Sequence, residues 1–237
     1  MQRLLILHGW GSNAGRWQKV KEILEKEGIE VLIPNLPGFG FTPPPKEPWG
    51  IDDYVNWVLD FLKEKEWTRF NLLGHSFGGG LATRIAETKP EMVEKLILCA
   101  AAVIRDEKSK KTLFFYSLGK VGKKIFSLPG LRKFYPAAAN ALYTLNNSKD
   151  YYLAEGVMKD TFKRVTSQDL KISLEKITAP TLILWGSKDD MVPEKDAHIL
   201  HEKIKNSKLV IFPGIGHNLN TQIPEKIANE TLKFLKK

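Results

Sequence analysis

The chain has 237 residues, 43% hydrophobic and 27% charged, with a formal net charge of +9, the size and composition of an ordinary globular domain with room for one insertion. The longest uninterrupted apolar run, Leu96 to Ile104, has nine residues and is too short to span a bilayer, and no nucleic-acid-binding module accompanies the positive charge. A single cysteine, Cys99, excludes an internal disulfide and points to a reducing cytoplasm, and the four apolar residues after Arg3 are too few for a signal peptide.

Short apolar runs alternate with amphipathic stretches, which predicts a parallel sheet covered by helices. Leu4 to Leu7 is the first strand, followed by Trp17, Val20, Ile23 and Leu24 at helical spacing until Gly28 stops the pattern. Glu30 to Ile33 is the second strand. The Pro-rich stretch Thr42 to Pro48 is a loop. Ile51-Asp52-Asp53 gives an acidic start to a helix whose apolar stripe is Tyr54, Val55, Val58, Leu59 and Leu62. Phe70 to Leu73, Leu96 to Cys99, Thr181 to Trp185 and Leu209 to Phe212 are further strands, with helices at Glu194 to Ile204 and Pro224 to Leu235.

The alternation breaks between Ile104 and Leu174, where helical pieces and aromatic residues run on without a convincing strand. This predicts an inserted helical lid at 104–174 on a core made of 1–103 and 175–237. From Arg105 to Lys133 there are nine Lys or Arg against two acids. Such a stretch is either a solvated basic face or an attractor for an anionic substrate or acyl carrier. A peripheral membrane role for Leu113 to Leu131 is a further alternative, weakened by Gly119, Gly122 and Pro129-Gly130, which interrupt a single amphipathic helix.

Residues 71–80 read NLLGHSFGGG. Gly74-His75-Ser76-Phe77-Gly78 follows an apolar run and precedes a helix-compatible stretch, the strand–turn–helix context of a nucleophile elbow carrying Ser76. Side chains two residues either side of so tight a turn would collide, which explains the glycines. A neutral serine needs a base, and the base an orienting acid. Of the five histidines, His217 follows the last strand in a glycine-rich loop that can carry an imidazole over the sheet edge. His8 and His75 flank glycines, and the His75 side chain should diverge from Ser76. His198 and His201 have a metal-compatible spacing but no further ligands. For the acid, Asp189, Asp190 and Asp106 all follow strands and remain open. The tetrahedral intermediate needs N–H donors: one is the amide of Phe77 at the helix start, the other comes from the loop His8-Gly9-Trp10-Gly11.

Over essentially its whole length the chain resembles α/β-hydrolase-fold serine hydrolases. The resemblance rests on His8-Gly9-Trp10-Gly11, Leu36-Pro37-Gly38-Phe39-Gly40, Gly74-His75-Ser76-Phe77-Gly78-Gly79, Leu184-Trp185-Gly186 with Asp189 and Val192-Pro193, and Gly216-His217. It implies an α/β fold of about six mostly parallel strands, since the chain begins at the family's usual third strand and lacks its leading antiparallel hairpin. It also implies Asp189 as the acid, three residues after the glycine of Trp-Gly and followed by Val-Pro. The His-Gly-Trp-Gly start is similar to pimeloyl-carrier-protein methyl ester esterases and to carbon–carbon bond hydrolases, which implies the Trp10 amide as second oxyanion donor. Asn35 departs from the aspartate common before Leu-Pro-Gly, implying an altered loop contact. Serine at the elbow, where dehalogenases and epoxide hydrolases carry aspartate, excludes those reactions.

The resulting expectation is a carboxylic-ester hydrolase without cofactor or metal, acting on small to medium acyl groups through an acyl-enzyme on Ser76. Thioester hydrolysis, carbon–carbon hydrolysis, acyl transfer and a non-catalytic receptor role are the alternatives. Trp49, Phe114, Phe115, Tyr116, Phe126 and Tyr143 are expected to line the pocket or to pack the lid. Cys99 reads as a buried core thiol.

Overall fold

A computed structural model of the protein describes residues 2–105 and 154–236. Six strands form one sheet: β1 (Gln2–Leu7), β2 (Ile29–Leu32), β3 (Phe70–His75), β4 (Val93–Cys99), β5 (Thr181–Gly186) and β6 (Ser207–Phe212). They are hydrogen-bonded in the order β2-β1-β3-β4-β5-β6, every pairing parallel. A parallel sheet is covered on both faces, so its strands read as near-continuous apolar runs, and β3 is buried at every position.

The alternation along β1 divides the core in two. Leu5 and Leu7 point into one apolar cluster, shared with α2 (Ile51–Glu64), α3 (Phe77–Thr88) and α5 (Glu194–Lys203). Leu4 and Ile6 point into the other, shared with α1 (Gln18–Lys26) and α7 (Pro224–Leu235). The acidic start of α2 closes on itself, as the Gly50 amide donates to Asp53 Oδ2 at 2.7 Å. A short α6 (Leu219–Gln222) precedes α7.

β4 begins at Val93, earlier than the apolar run suggests, because Val93 already pairs with Phe70, and a register shift carries the strand past Glu94 and Lys95 to the next pair, Leu72 with Leu96. α3 begins at Phe77, four residues before Leu81, and runs through Gly78, Gly79 and Gly80. Those glycines are poor helix formers in isolation, but here they are buried at the helix–sheet contact, and tertiary packing overrides propensity.

The sheet order sets where chemistry can occur. From β1 the chain steps to β2 on one side, then returns past β1 to β3 on the other. The crevice at the carboxyl ends of β1 and β3 is therefore a topological switch point, the usual ligand position in such sheets. The loop after β1 and the turn after β3 both open there.

Residues 154–174 include α4 (Gly156–Ser167) and lead into a 3-10 helix, Lys171–Lys176. Val165, Leu170 and Leu174 are buried in the same cluster as α2 and α3. The Leu170 amide donates to the Val103 carbonyl at 3.1 Å, and the Arg105 amide to Asp169 Oδ1 at 3.4 Å, tying the segment to the end of the β4 extension. Asp106, Phe114, Phe115, Tyr116, Phe126, Tyr143 and the basic stretch beyond Arg105 lie outside the described residues. Among the described residues no helix is long and apolar enough to cross a membrane.

Candidate active site

Ser76 sits between β3 and α3 with φ 52° and ψ −117°, a left-handed conformation that costs a non-glycine residue about 1–3 kcal/mol. Neighbouring backbone holds it there. Its amide donates to the Cys99 carbonyl at 3.1 Å, and its carbonyl accepts from the amides of Gly79 and Ala102, each at 2.9 Å. The flanking glycines are sterically required. A Cβ on Gly74 would lie 2.3 Å from the Gly78 carbonyl oxygen, and one on Gly78 would lie 2.2 Å from that of Leu7. Ser76 itself is half-buried.

His217 Nδ1 donates to Asp189 Oδ2 at 2.8 Å, and both side chains are buried. The other carboxylate oxygen, Oδ1, accepts from the amides of Met191 at 2.9 Å and Val192 at 2.8 Å. Asp190, next in the chain, is exposed. Burial and hydrogen bonding thus separate two aspartates that the sequence leaves side by side. With its proton on Nδ1, the neutral His217 ring presents Nε2 as an acceptor.

The elbow and this pair meet through His75. Its ring lies 5.0 Å from that of His217, centroid to centroid, and its Nε2 bonds the His217 carbonyl at 3.0 Å. The loop after β1 closes the other side, since a Cβ on Gly9 would lie 3.2 Å from Ser76 Cβ. That loop is braced by His8, whose Nδ1 bonds the Gly9 carbonyl at 2.8 Å while Nε2 accepts from the Leu36 amide at 3.0 Å. Both ring nitrogens are thereby used, and burial lowers the pKa of His8, which keeps it neutral.

Trp10 packs edge-on against Phe39 at 4.9 Å, Phe162 at 5.0 Å and Phe77 at 5.5 Å. The two residues whose amides are oxyanion candidates are thus in ring contact. Trp49 is half-buried and edge-on to Tyr54 at 5.1 Å, which in turn packs against Phe77. Helix α4 covers this aromatic group. Phe162 meets Trp10, Met158 lies over Gly38, and Arg164 Nη1 donates to the Pro48 carbonyl at 2.7 Å. Gln168 Oε1 accepts from the Ile51 amide at 2.7 Å.

Asn35 keeps its loop closed without a carboxylate: Oδ1 accepts from the Ala14 amide at 2.8 Å, and its carbonyl accepts from Thr42 Oγ1 at 2.8 Å. His198 faces Glu194, whereas His201 bonds Ser207, so the two do not converge. Among the described residues no three His, Cys, Asp or Glu side chains gather to hold a metal ion. Cys99 is buried, and burial pushes its thiol pKa up.

The sequence reading missed the bracing by His8 and His75 and the cover from Phe162 and Met158. The two histidines stood out beside glycines, but the bonds from His8 to Leu36 and from His75 to His217 reach backbone atoms distant in the chain.

The profile of the α/β hydrolase fold matches residues 2–222. The chain belongs to the α/β hydrolase family. It is a hydrolase, and its relatives within the family include enzymes of two chemistries. It is 29% identical over 257 residues to pimeloyl-acyl-carrier-protein methyl ester esterase of Pectobacterium atrosepticum, covering 98% of this chain and 93% of that protein. It is 25% identical over 253 residues to 2-hydroxy-6-oxo-6-(2'-aminophenyl)hexa-2,4-dienoic acid hydrolase of Metapseudomonas resinovorans, covering 99% and 84%. Among solved structures, the esterase of Exiguobacterium antarcticum superposes with a TM-score of 0.78 at 24% identity, covering 100% of this chain and 92% of that one. That superposition speaks to the shared fold.

Proposed function

We propose that this α/β hydrolase is a serine esterase that cleaves small to medium carboxylic esters through an acyl-enzyme on Ser76. The observation that carries the reading is the buried Asp189–His217 hydrogen bond at the same sheet edge as the strained elbow serine. Ser76 Oγ attacks the acyl carbon as its proton passes to His217 Nε2. Asp189 holds the Nδ1–H and stabilises the imidazolium that forms. The oxyanion is met by the amide of Phe77, which at the first position of α3 has no intrahelical acceptor, and by the amide of Trp10. Collapse expels the alcohol with the proton from His217. Water, activated by the same base, then releases the acid.

The test is hydrolysis of p-nitrophenyl esters from acetate to decanoate, extended to anionic acyl groups, with fluorophosphonate labelling of the protein mapped by peptide mass. Turnover together with adduct on Ser76 is expected. Absence of both defeats the reading. The anionic members of the panel address a carrier-like or negatively charged acyl group, which the basic stretch within 105–133 favours. A cytoplasmic setting suits the single, buried, unpaired Cys99.

Carbon–carbon hydrolysis is the second reading, supported by the dienoic acid hydrolase relative. Cleavage of a vinylogous diketo acid with little ester turnover would favour it.

A further inference from the structure

We propose that His75 is a positioning residue for the catalytic base: its ring N–H, donated to the His217 carbonyl, sets the base loop in register with the nucleophile. The inference rests on the reading of Ser76 and His217 as nucleophile and base.

The bond at 3.0 Å joins His75 Nε2 to a carbonyl oxygen, which only accepts. His75 therefore carries its proton on Nε2, and Nδ1 is left as a bare acceptor. Nδ1 is buried and has no hydrogen-bond partner among the described residues. An orphaned buried nitrogen is unfavourable, and a leucine or phenylalanine would avoid it. What imidazole adds at this position is the Nε2–H.

Chain geometry gives that bond its leverage. His75 immediately precedes Ser76, so a tie from its ring to the His217 backbone spans nucleophile and base in one step. The other bonds of the base loop run elsewhere. Lys188 and Ile215, Ser187 and Gly214, and Gln222 and Gly216 join it to the acid loop and α6. The His217 carbonyl also accepts from the Leu219 amide at 3.1 Å, within its own segment. His75 supplies the link to the elbow. Its ring is confined by the edge of Trp17 at 5.8 Å and by Gly9, where a Cβ would lie 3.1 Å from Nδ1.

The ring must also stay neutral, because a cation here would oppose the imidazolium that His217 becomes. Burial, followed by the charge of His217, lowers the His75 pKa to about 3. The backbone bond to His217 and the Asp189 charge act the other way, and His8 adds a small further lowering.

The experiment compares wild-type enzyme with His75→Gln and His75→Leu. Glutamine places an amide N–H near the Nε2 position, whereas leucine keeps bulk without a donor. For His75→Leu we expect kcat to fall about tenfold to a hundredfold with KM within about twofold, the effect of a small misalignment. His75→Gln should recover most of that loss. Active-site fraction is fixed by fluorophosphonate titration, so misfolded protein is not counted as slow enzyme. Full kcat in His75→Leu, no recovery in His75→Gln, or a loss explained wholly by a reduced titratable fraction would each overturn the inference. Wild-type protein that neither turns over nor labels defeats the esterase reading instead. Imidazole nitrogen NMR of the wild type decides the inference independently of activity. A non-titrating Nε2–H tautomer of His75 from about pH 5 to 8 supports it, and an Nδ1–H tautomer or a titration in that range overturns it.

Discussion

Asp189 and Asp190 share a loop and a charge, yet only Asp189 is enclosed by three donors, the amides of Met191 and Val192 and the ring of His217. Such a carboxylate has both oxygens fixed, so it can hold one imidazole tautomer without reorganising. Kinetics should divide the residues accordingly. Ser76→Ala or His217→Ala is expected to cost on the order of 10⁶ in kcat, and Asp189→Asn roughly 10⁴. Asp190→Asn should stay within about threefold of wild type, as an exposed charge outside the unit. Steady-state turnover of a p-nitrophenyl ester reads all four, and parity between the two asparagine variants would refute the division. At this scale Gly-x-Ser-x-Gly was legible as a short local pattern, whereas Asp189 was set apart from Asp190 only by the resemblance to α/β hydrolases. The pairing of His8 Nε2 with the Leu36 amide, and of His75 with the His217 carbonyl, was not legible. Any residue type presents the same backbone groups, so no sequence signal marks which carbonyl a buried histidine meets.

Among the elements, the strands were the easiest to read, because each parallel strand is covered on both faces and must be apolar. The edges were harder. Glu94 and Lys95 belong to β4 although the register with β3 shifts there, and Gly78 and Gly79 are helical where α3 lies against the backbone of β1 and β3. Gly78 makes that contact concrete. A methyl group there would sit 2.2 Å from the Leu7 carbonyl oxygen and 2.7 Å from that of His8. Both are backbone atoms of β1 and the loop after it, which cannot rotate aside. Gly78→Ala should therefore push α3 off β1 and disturb Ser76 and Gly9 together. A destabilisation at the upper end of the about 1–3 kcal/mol usual for overpacking is expected, with kcat reduced in the fraction that folds. Urea unfolding followed by tryptophan fluorescence measures the first, and activity per titrated site the second. A variant as stable and active as wild type would mean that the β1–α3 contact is looser than described.

For the whole molecule, acid sensitivity follows from groups buried on opposite sides of their ordinary charge states. His75 and His8 are held neutral by burial, His75 with a pKa of about 3. Their folded pKa values lie below the unfolded value near 6.5, so the unfolded chain binds more protons once pH drops under that value. Stability from this source is complete above about pH 6.5 and declines as pH falls toward 3. Glu87 behaves differently. Burial alone would raise its pKa, but hydrogen bonds from Lys176, Ser173 and Arg84 outweigh it and hold the carboxyl at about 2. Its contribution is intact above the unfolded carboxylate pKa, about 4.5, and is lost as pH falls through 2. The protein should therefore lose stability in two stages, an upper one governed by the buried histidines His8 and His75 and a lower one by the ion-pair cluster joining α2, α3 and the 3-10 helix Lys171–Lys176. Each proton taken up on unfolding adds a slope of about 1.4 kcal/mol per pH unit. Denaturant midpoints measured from pH 7.5 to 3 should show the upper slope diminished in His75→Leu and the lower slope diminished in Glu87→Gln. Identical slopes in all three proteins would show that neither group governs acid unfolding, and would leave the remaining carboxylates to account for it.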